Sequence, residues 1–180
     1  MKYIALLRGV NVGGKNKVSM SELVRQLSGI GWENVSTYIN SGNIVFYSKK
    51  TVALLRQEIQ QLLQEAFELD TKDLKVNIIT HAEIAEVIKF APQDFGKEPG
   101  KYKYDIAFVI GGSGEEAIKQ FTGNQEVDSF WPGATVVYYR RLTEKLTKSR
   151  ISKIVSMPIY QRLTVRNWNT VNRLHEMTSK

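Results

Sequence analysis

The run Gly9-Val10-Asn11-Val12-Gly13-Gly14-Lys15-Asn16 matches the G-x-x-x-x-G-K core of a nucleotide-binding loop and departs from it only at Asn16. That position needs the hydroxyl of Ser or Thr to ligate Mg²⁺. The context departs too. A phosphate-binding helix opens at the Gly-Lys pair, whereas here Ser19 stands three residues before Glu22, a capping box that starts the helix later. Hydrolysis of ATP or GTP is therefore not expected. What the run suits is a concavity for an anion, built from Gly-rich backbone amides with Lys15 and Lys17, or a plain flexible turn.

Other motifs carry less. Gly111-Gly112-Ser113-Gly114 leads into Glu115 and Glu116, acids that already satisfy a helix N-terminus and repel phosphate, so it reads as a turn. His81 and His175 are far apart with no ligand spacing around them, and there is no cysteine. A metal site, a thiolate nucleophile and disulfides drop out, and no cofactor is implied. No G-x-S-x-G elbow supports a serine nucleophile. In Arg166-Asn167-Trp168-Asn169-Thr170, Asn167 reads as the cap of a last helix that Trp168, Val171 and Leu174 pack down. The competing reading makes Arg166 and Asn169 ligand contacts.

These residues need a scaffold, and the composition allows one. The chain has 180 residues, 42% hydrophobic and 24% charged. That is a globular composition with room for one large domain or two small ones. No apolar run nears the roughly 18 residues of a membrane span, and the start of the chain lacks a secretion signal. A soluble cytoplasmic protein with no membrane partner is expected. Residues 3–9 form a buried-strand run, Leu23, Val24, Leu27 and Ile30 one face of a helix, and 34–40 alternates as a strand. Ser41-Gly42 turns the chain into a strand over 43–48, a helix runs over 51–68, and 75–79 closes the unit.

Residues 80–103 read as a connector, with a capping box at Thr80 and Glu83 and then Pro92, Gly96, Pro99 and Gly100. After it the order recurs. The elements are a strand over 104–110, a helix over 113–122, a strand over 126–130, a turn at Trp131-Pro132-Gly133 and a strand over 134–140. A helix over 148–157, a strand over 162–165 and a last helix over 167–178 follow. The expected fold class is α+β: two tandem ferredoxin-like (βαββαβ) units with antiparallel sheets, 1–79 and 104–180, plus a C-terminal helix. Kinship with RNA-recognition domains is weak, since strand one offers only Tyr3 and strand three no basic-Gly-aromatic opening.

Three segments, LLRGVNVGGKNKVSM, TYINSGNIVF and TVRNWNTVNRL, together resemble the domain of unknown function 1697 family, which is widespread in bacteria. The resemblance spans nearly the whole chain. It implies a small α+β protein with no established activity.

Charge adds a second candidate surface. The net charge is +7, and residues 140–180 hold ten bases against two acids. Arg141, Lys148, Arg150 and Arg166 are the expected polyanion surface, with a solvated basic face as the plain alternative. The first site follows from topology. In a βαββαβ unit the end of strand one (Arg8), the end of strand two (Asn40) and the start of strand three (Asn43) share one edge. The loop carrying Asn11, Lys15 and Lys17 should meet the Ser41-Gly42 turn there. The alternative is that the amides only tie the turns together and Arg8 pairs with an acid. The function expected is binding of an anionic ligand, a phosphorylated small molecule or nucleic acid. An enzyme on a phosphorylated or nucleotide substrate and a ligand-free interaction scaffold are the alternatives. Nothing in the sequence fixes an oligomeric state.

Overall fold

In the computed structural model, which describes residues 1–70 and 74–179, the chain forms two units. One comprises Met1–Ile84 with Arg173–Lys180, the other Ala85–Asn172. The architecture is mixed α+β, with two four-stranded antiparallel sheets and a C-terminal helix.

The first sheet has the order β2-β3-β1-β4, from β1 (Lys2–Arg8), β2 (Glu33–Tyr38), β3 (Asn43–Tyr47) and β4 (Lys75–Thr80). β1 lies inside because its apolar run is buried from Tyr3 to Leu7. Tyr3, Ala5 and Leu7 share a core with Leu23 and Leu27 of α1 (Met20–Gly29) and Leu55, Ile59 and Leu63 of α2 (Val52–Ala66). Trp32 stacks on Phe46 at 3.9 Å in the same core. Its indole N–H donates to Glu58 Oε2 at 2.9 Å, and Lys50 closes on the other oxygen of Glu58 at 2.6 Å. The helix starts lie at their caps, since Ser19 Oγ accepts from Glu22 N and Thr51 Oγ1 from Leu54 N. Only half of the expected first box forms, because the Glu22 carboxylate binds Arg25 and Gln26 instead. At α3 (His81–Lys89) the box is reciprocal: Thr80 N donates to Glu83 Oε2 at 2.7 Å and Glu83 N to Thr80 Oγ1 at 3.1 Å.

The second sheet has the order β6-β7-β5-β8, from β5 (Tyr102–Val109), β6 (Asp128–Pro132), β7 (Val136–Leu142) and β8 (Leu163–Asn167). The expected turn at Trp131-Pro132-Gly133 lies two residues late. Trp131 and Pro132 complete β6, and as β6 is an edge strand a proline at its end removes no ladder bond. The helix expected over 113–122 is the single turn α4 (Gly114–Ile118), continued by i→i+3 turns at Gln120 and Phe121.

The helix expected over 148–157 is absent. Three 3-10 helices stand there, Thr143–Lys148, Ile151–Ser156 and Pro158–Arg162. Buried Asp128 explains the break, since its carboxylate takes the Ser149 hydroxyl at 2.6 Å and the Arg150 N–H at 2.9 Å. The Arg150 N–H is thereby lost to a helix ladder, and Pro158 blocks extension beyond. Ile151 and Ile154, three apart, suit the three-residue turn and enter the core with Ala117 and Tyr139. The last helix, α5, runs from Trp168 to Ser179.

Candidate functional site

Residues 9–18 fold as a small hairpin rather than a phosphate-binding loop. Asn11 N donates to Asn16 O at 3.0 Å and Lys15 N to Val12 O at 3.0 Å, so the tip is Gly13-Gly14. Both tip residues have positive φ, 59° and 78°, as a two-residue hairpin turn with mirror-image geometry requires. Lys15 and Lys17 are exposed on this hairpin.

The hairpin meets the β2–β3 turn through one side chain. Asn11 Nδ2 donates to Asn40 O and to Val18 O, both at 2.9 Å, and Asn11 Oδ1 accepts from Val18 N at 2.8 Å. Asn11 thus ties the loop to the turn and to the segment entering α1. Leu7 N donates to Gly42 O at 2.8 Å below it. Gly42 has a φ of 72°, and a Cβ there would come within 2.6 Å of Leu7, so only glycine fits. Asn43 is fully buried, with Nδ2 donating to Tyr38 O and Ser41 Oγ. Asn16 is also buried, its Nδ2 on Gly9 O and its N–H on Asp70 Oδ2 at 2.6 Å.

Beside this junction lies a concavity of about 520 Å³ lined by Asn11, Gly14, Lys17, Ser19, Ser21 and Asn40. Its wall includes Ser19, the cap of α1, and the first residues of that ten-residue helix, so the positive end of the helix faces it. Of the residues expected at the site, Asn11, Lys17 and Asn40 come together here. Lys15 is exposed on the hairpin, Arg8 is half-buried at the end of β1 opposite Lys75, Ser41 is half-buried, and Asn43 is buried at the start of β3. The lining residues that sequence reasoning missed are Val18, Ser19, Met20 and Ser21. The signal was present: a capping box directly after a basic loop puts a helix N-terminus beside the lysines.

The basic residues of the second candidate surface differ in setting. Arg141 Nη2 binds Asp105 Oδ2 at 2.7 Å. Burial raises the Asp105 pKa and outweighs the pull of Arg141. Arg166 is half-buried, donates to Val165 O, and has its pKa lowered to about 10 by burial. Lys148 and Arg150 are exposed on the 3-10 segment. Arg140 lies over the Tyr102 and Trp131 rings, Arg162 binds the carbonyls of Ile110 and Gly111, and Arg173 pairs with Glu176. Lys180 lies outside the described residues.

The two histidines are not apart in space. Their rings stack at 5.6 Å and 6°, and His81 Nδ1 shares a hydrogen bond with Thr178 Oγ1. Among the described residues no three His, Cys, Asp or Glu side chains cluster as metal ligands, and no helix is long and apolar enough to cross a membrane.

A family model described as a protein of unknown function, DUF1697, matches residues 1–138. A conserved bacterial protein, SP0830 from Streptococcus pneumoniae, has a similar structure, with a TM-score of 0.80 at 24% identity over 99% of this chain and 98% of that one. That likeness concerns the fold alone. No curated protein matches.

Proposed function

The chain belongs to DUF1697, a family of proteins of unknown function, and from that premise we propose that it is a binding module for an anionic, phosphate-bearing ligand. The observation that carries the reading is the concavity at the start of α1, where Lys17, Ser19, Ser21 and Asn40 line the wall beside a helix N-terminus. Backbone N–H groups at a helix start favour an anion by about 0.3–1 kcal/mol, and a charge-assisted bond from lysine adds about 1.5–3 kcal/mol. The ligand is a phosphorylated small molecule or a nucleic-acid backbone. The two share the phosphate and differ in what flanks it.

A strained residue supports the same place. Ile39, in the turn just after β2 and beside Asn40, has a φ of 49°, where a β-branched side chain costs about 1–3 kcal/mol. The reading of each unit as ferredoxin-like rests on the matching strand orders, with the first strand between the third and fourth in both sheets. The absence of cysteine accords with a cytoplasmic setting.

Calorimetric titration with inorganic phosphate, a nucleoside monophosphate and a short single-stranded oligonucleotide tests the proposal. Lys17→Ala is expected to weaken the tightest of these by about tenfold, the equivalent of 1.4 kcal/mol. A monophosphate matching the oligonucleotide assigns a small molecule, and a tighter oligonucleotide assigns nucleic acid. No binding, or binding that Lys17→Ala leaves unchanged, contradicts the proposal.

A further inference from the structure

His81 opens α3 directly after Thr80, which pairs with Tyr3 at the start of β1. Its Nδ1 lies 2.9 Å from Thr178 Oγ1, and that hydroxyl lies 2.8 Å from His175 O. A hydroxyl has one hydrogen to give, and a carbonyl oxygen only accepts. Both contacts are hydrogen bonds only if Thr178 donates to His175 O and accepts from His81 Nδ1–H. Thr178 is buried, so the pairing is shielded from water. The neutral His81 imidazole therefore carries its proton on Nδ1 and leaves Nε2 with a bare lone pair. The His175 ring, parallel to within 6° at 5.6 Å, packs beside it.

His81 lines a cleft of about 460 Å³ together with Lys2, Tyr47, Ala82 and Thr178. That volume falls within the roughly 300–1,000 Å³ of small-molecule sites, and the wall is mainly carbon. Lys2 stands in the middle, since β1 lies between β3, which carries Tyr47, and β4, which ends beside His81. Two strand spacings put β3 and β4 about 10 Å apart, room for one ring and its substituents. The Lys2 ammonium lies 4.9 Å from the Tyr47 ring centroid and makes no hydrogen bond or ion pair among the described residues. Glu83, the acid in the first turn of α3, is taken up by Thr80 N and Oγ1. An unpaired cation, a bare imidazole nitrogen and an aromatic ring thus border one carbon-walled space.

We infer that this cleft binds a small aromatic acid bearing a hydroxyl group, of the hydroxybenzoate class. The carboxylate pairs with Lys2, the hydroxyl donates to His81 Nε2, and the ring lies against Tyr47. Neighbouring classes each miss one of these partners. Inorganic phosphate has no carbon to set against the wall, phenol leaves Lys2 without an anion, and benzoate has no donor for Nε2. The site does not rest on the phosphate reading, because none of its lining residues belongs to the α1 concavity.

The test is a nuclear magnetic resonance titration of the ¹⁵N-labelled full chain with the meta and para hydroxybenzoates, benzoate, phenol and inorganic phosphate. In the free protein the histidine ring signals are expected to show neutral His81 protonated on Nδ1 and not on Nε2. At least one hydroxybenzoate is expected to shift His81 Nε2 and the Lys2 and Ala82 amides saturably. Benzoate and phenol should bind about tenfold more weakly. Lys2→Met keeps the aliphatic stem and so the fold, and it should weaken the hydroxybenzoate about tenfold while leaving phenol unchanged. An Nε2–H tautomer, benzoate or phenol as tight as the better hydroxybenzoate, phosphate moving the same signals, no binding, or a Lys2→Met variant without effect would overturn the proposal.

Discussion

At the residue scale, Asp105 carries a test that needs no ligand. Burial raises its pKa in the folded protein even with Arg141 at 2.7 Å. An acid raised on folding stabilises the fold below its unfolded pKa, ordinarily near 3.9, and that contribution is lost as pH rises through the folded value. The stability of the wild type relative to Asp105→Asn is therefore expected to decline as pH climbs through and above the carboxylate range. Urea melts of both proteins across that range measure it, and a difference that grows with pH would refute the burial account. Asp105 shows why part of the chemistry was illegible in the sequence. It meets Arg141 and Asn167 only through strand registers. Asn11 and Asn43 were legible, because amides beside Gly-rich turns tend to bind the turn backbone, and both do.

At the scale of elements, the first unit was readable because its strands alternate or run apolar and its helices open at side-chain caps. Both signals are local. The 3-10 segment of the second unit was not readable. Apolar residues three apart fit an α-helix as well, and the carboxylate that breaks the helix, Asp128, comes from β6. The β2–β3 turn offers a direct check on strain. Ile39 is 53% exposed and buries little, yet holds a φ of 49°. Ile39→Asn, a residue that tolerates this conformation, is expected to stabilise the protein by about 1 kcal/mol in chemical denaturation. A neutral or destabilising result would mean that packing by the isoleucine outweighs the strain.

For the molecule as a whole, a net charge of +7 overstates what is free to meet a polyanion, since Arg141, Arg162 and Arg173 engage protein groups and Arg166 is half-buried. If a nucleic acid binds through Lys15 and Lys17, the logarithm of its affinity should fall against that of salt with a slope of about −2 on duplex DNA. A slope steeper than about −5 would show that the basic residues of 140–180 assemble one surface after all. The central claim is that the start of α1 receives a phosphate. Mapping the backbone amide signals of the whole chain during a titration with inorganic phosphate tests it most directly. The account predicts saturable shifts concentrated over residues 17–21 and at Asn40, and their loss in Lys17→Ala. Shifts confined to other residues, or none at phosphate concentrations that saturate ordinary sites, would contradict it.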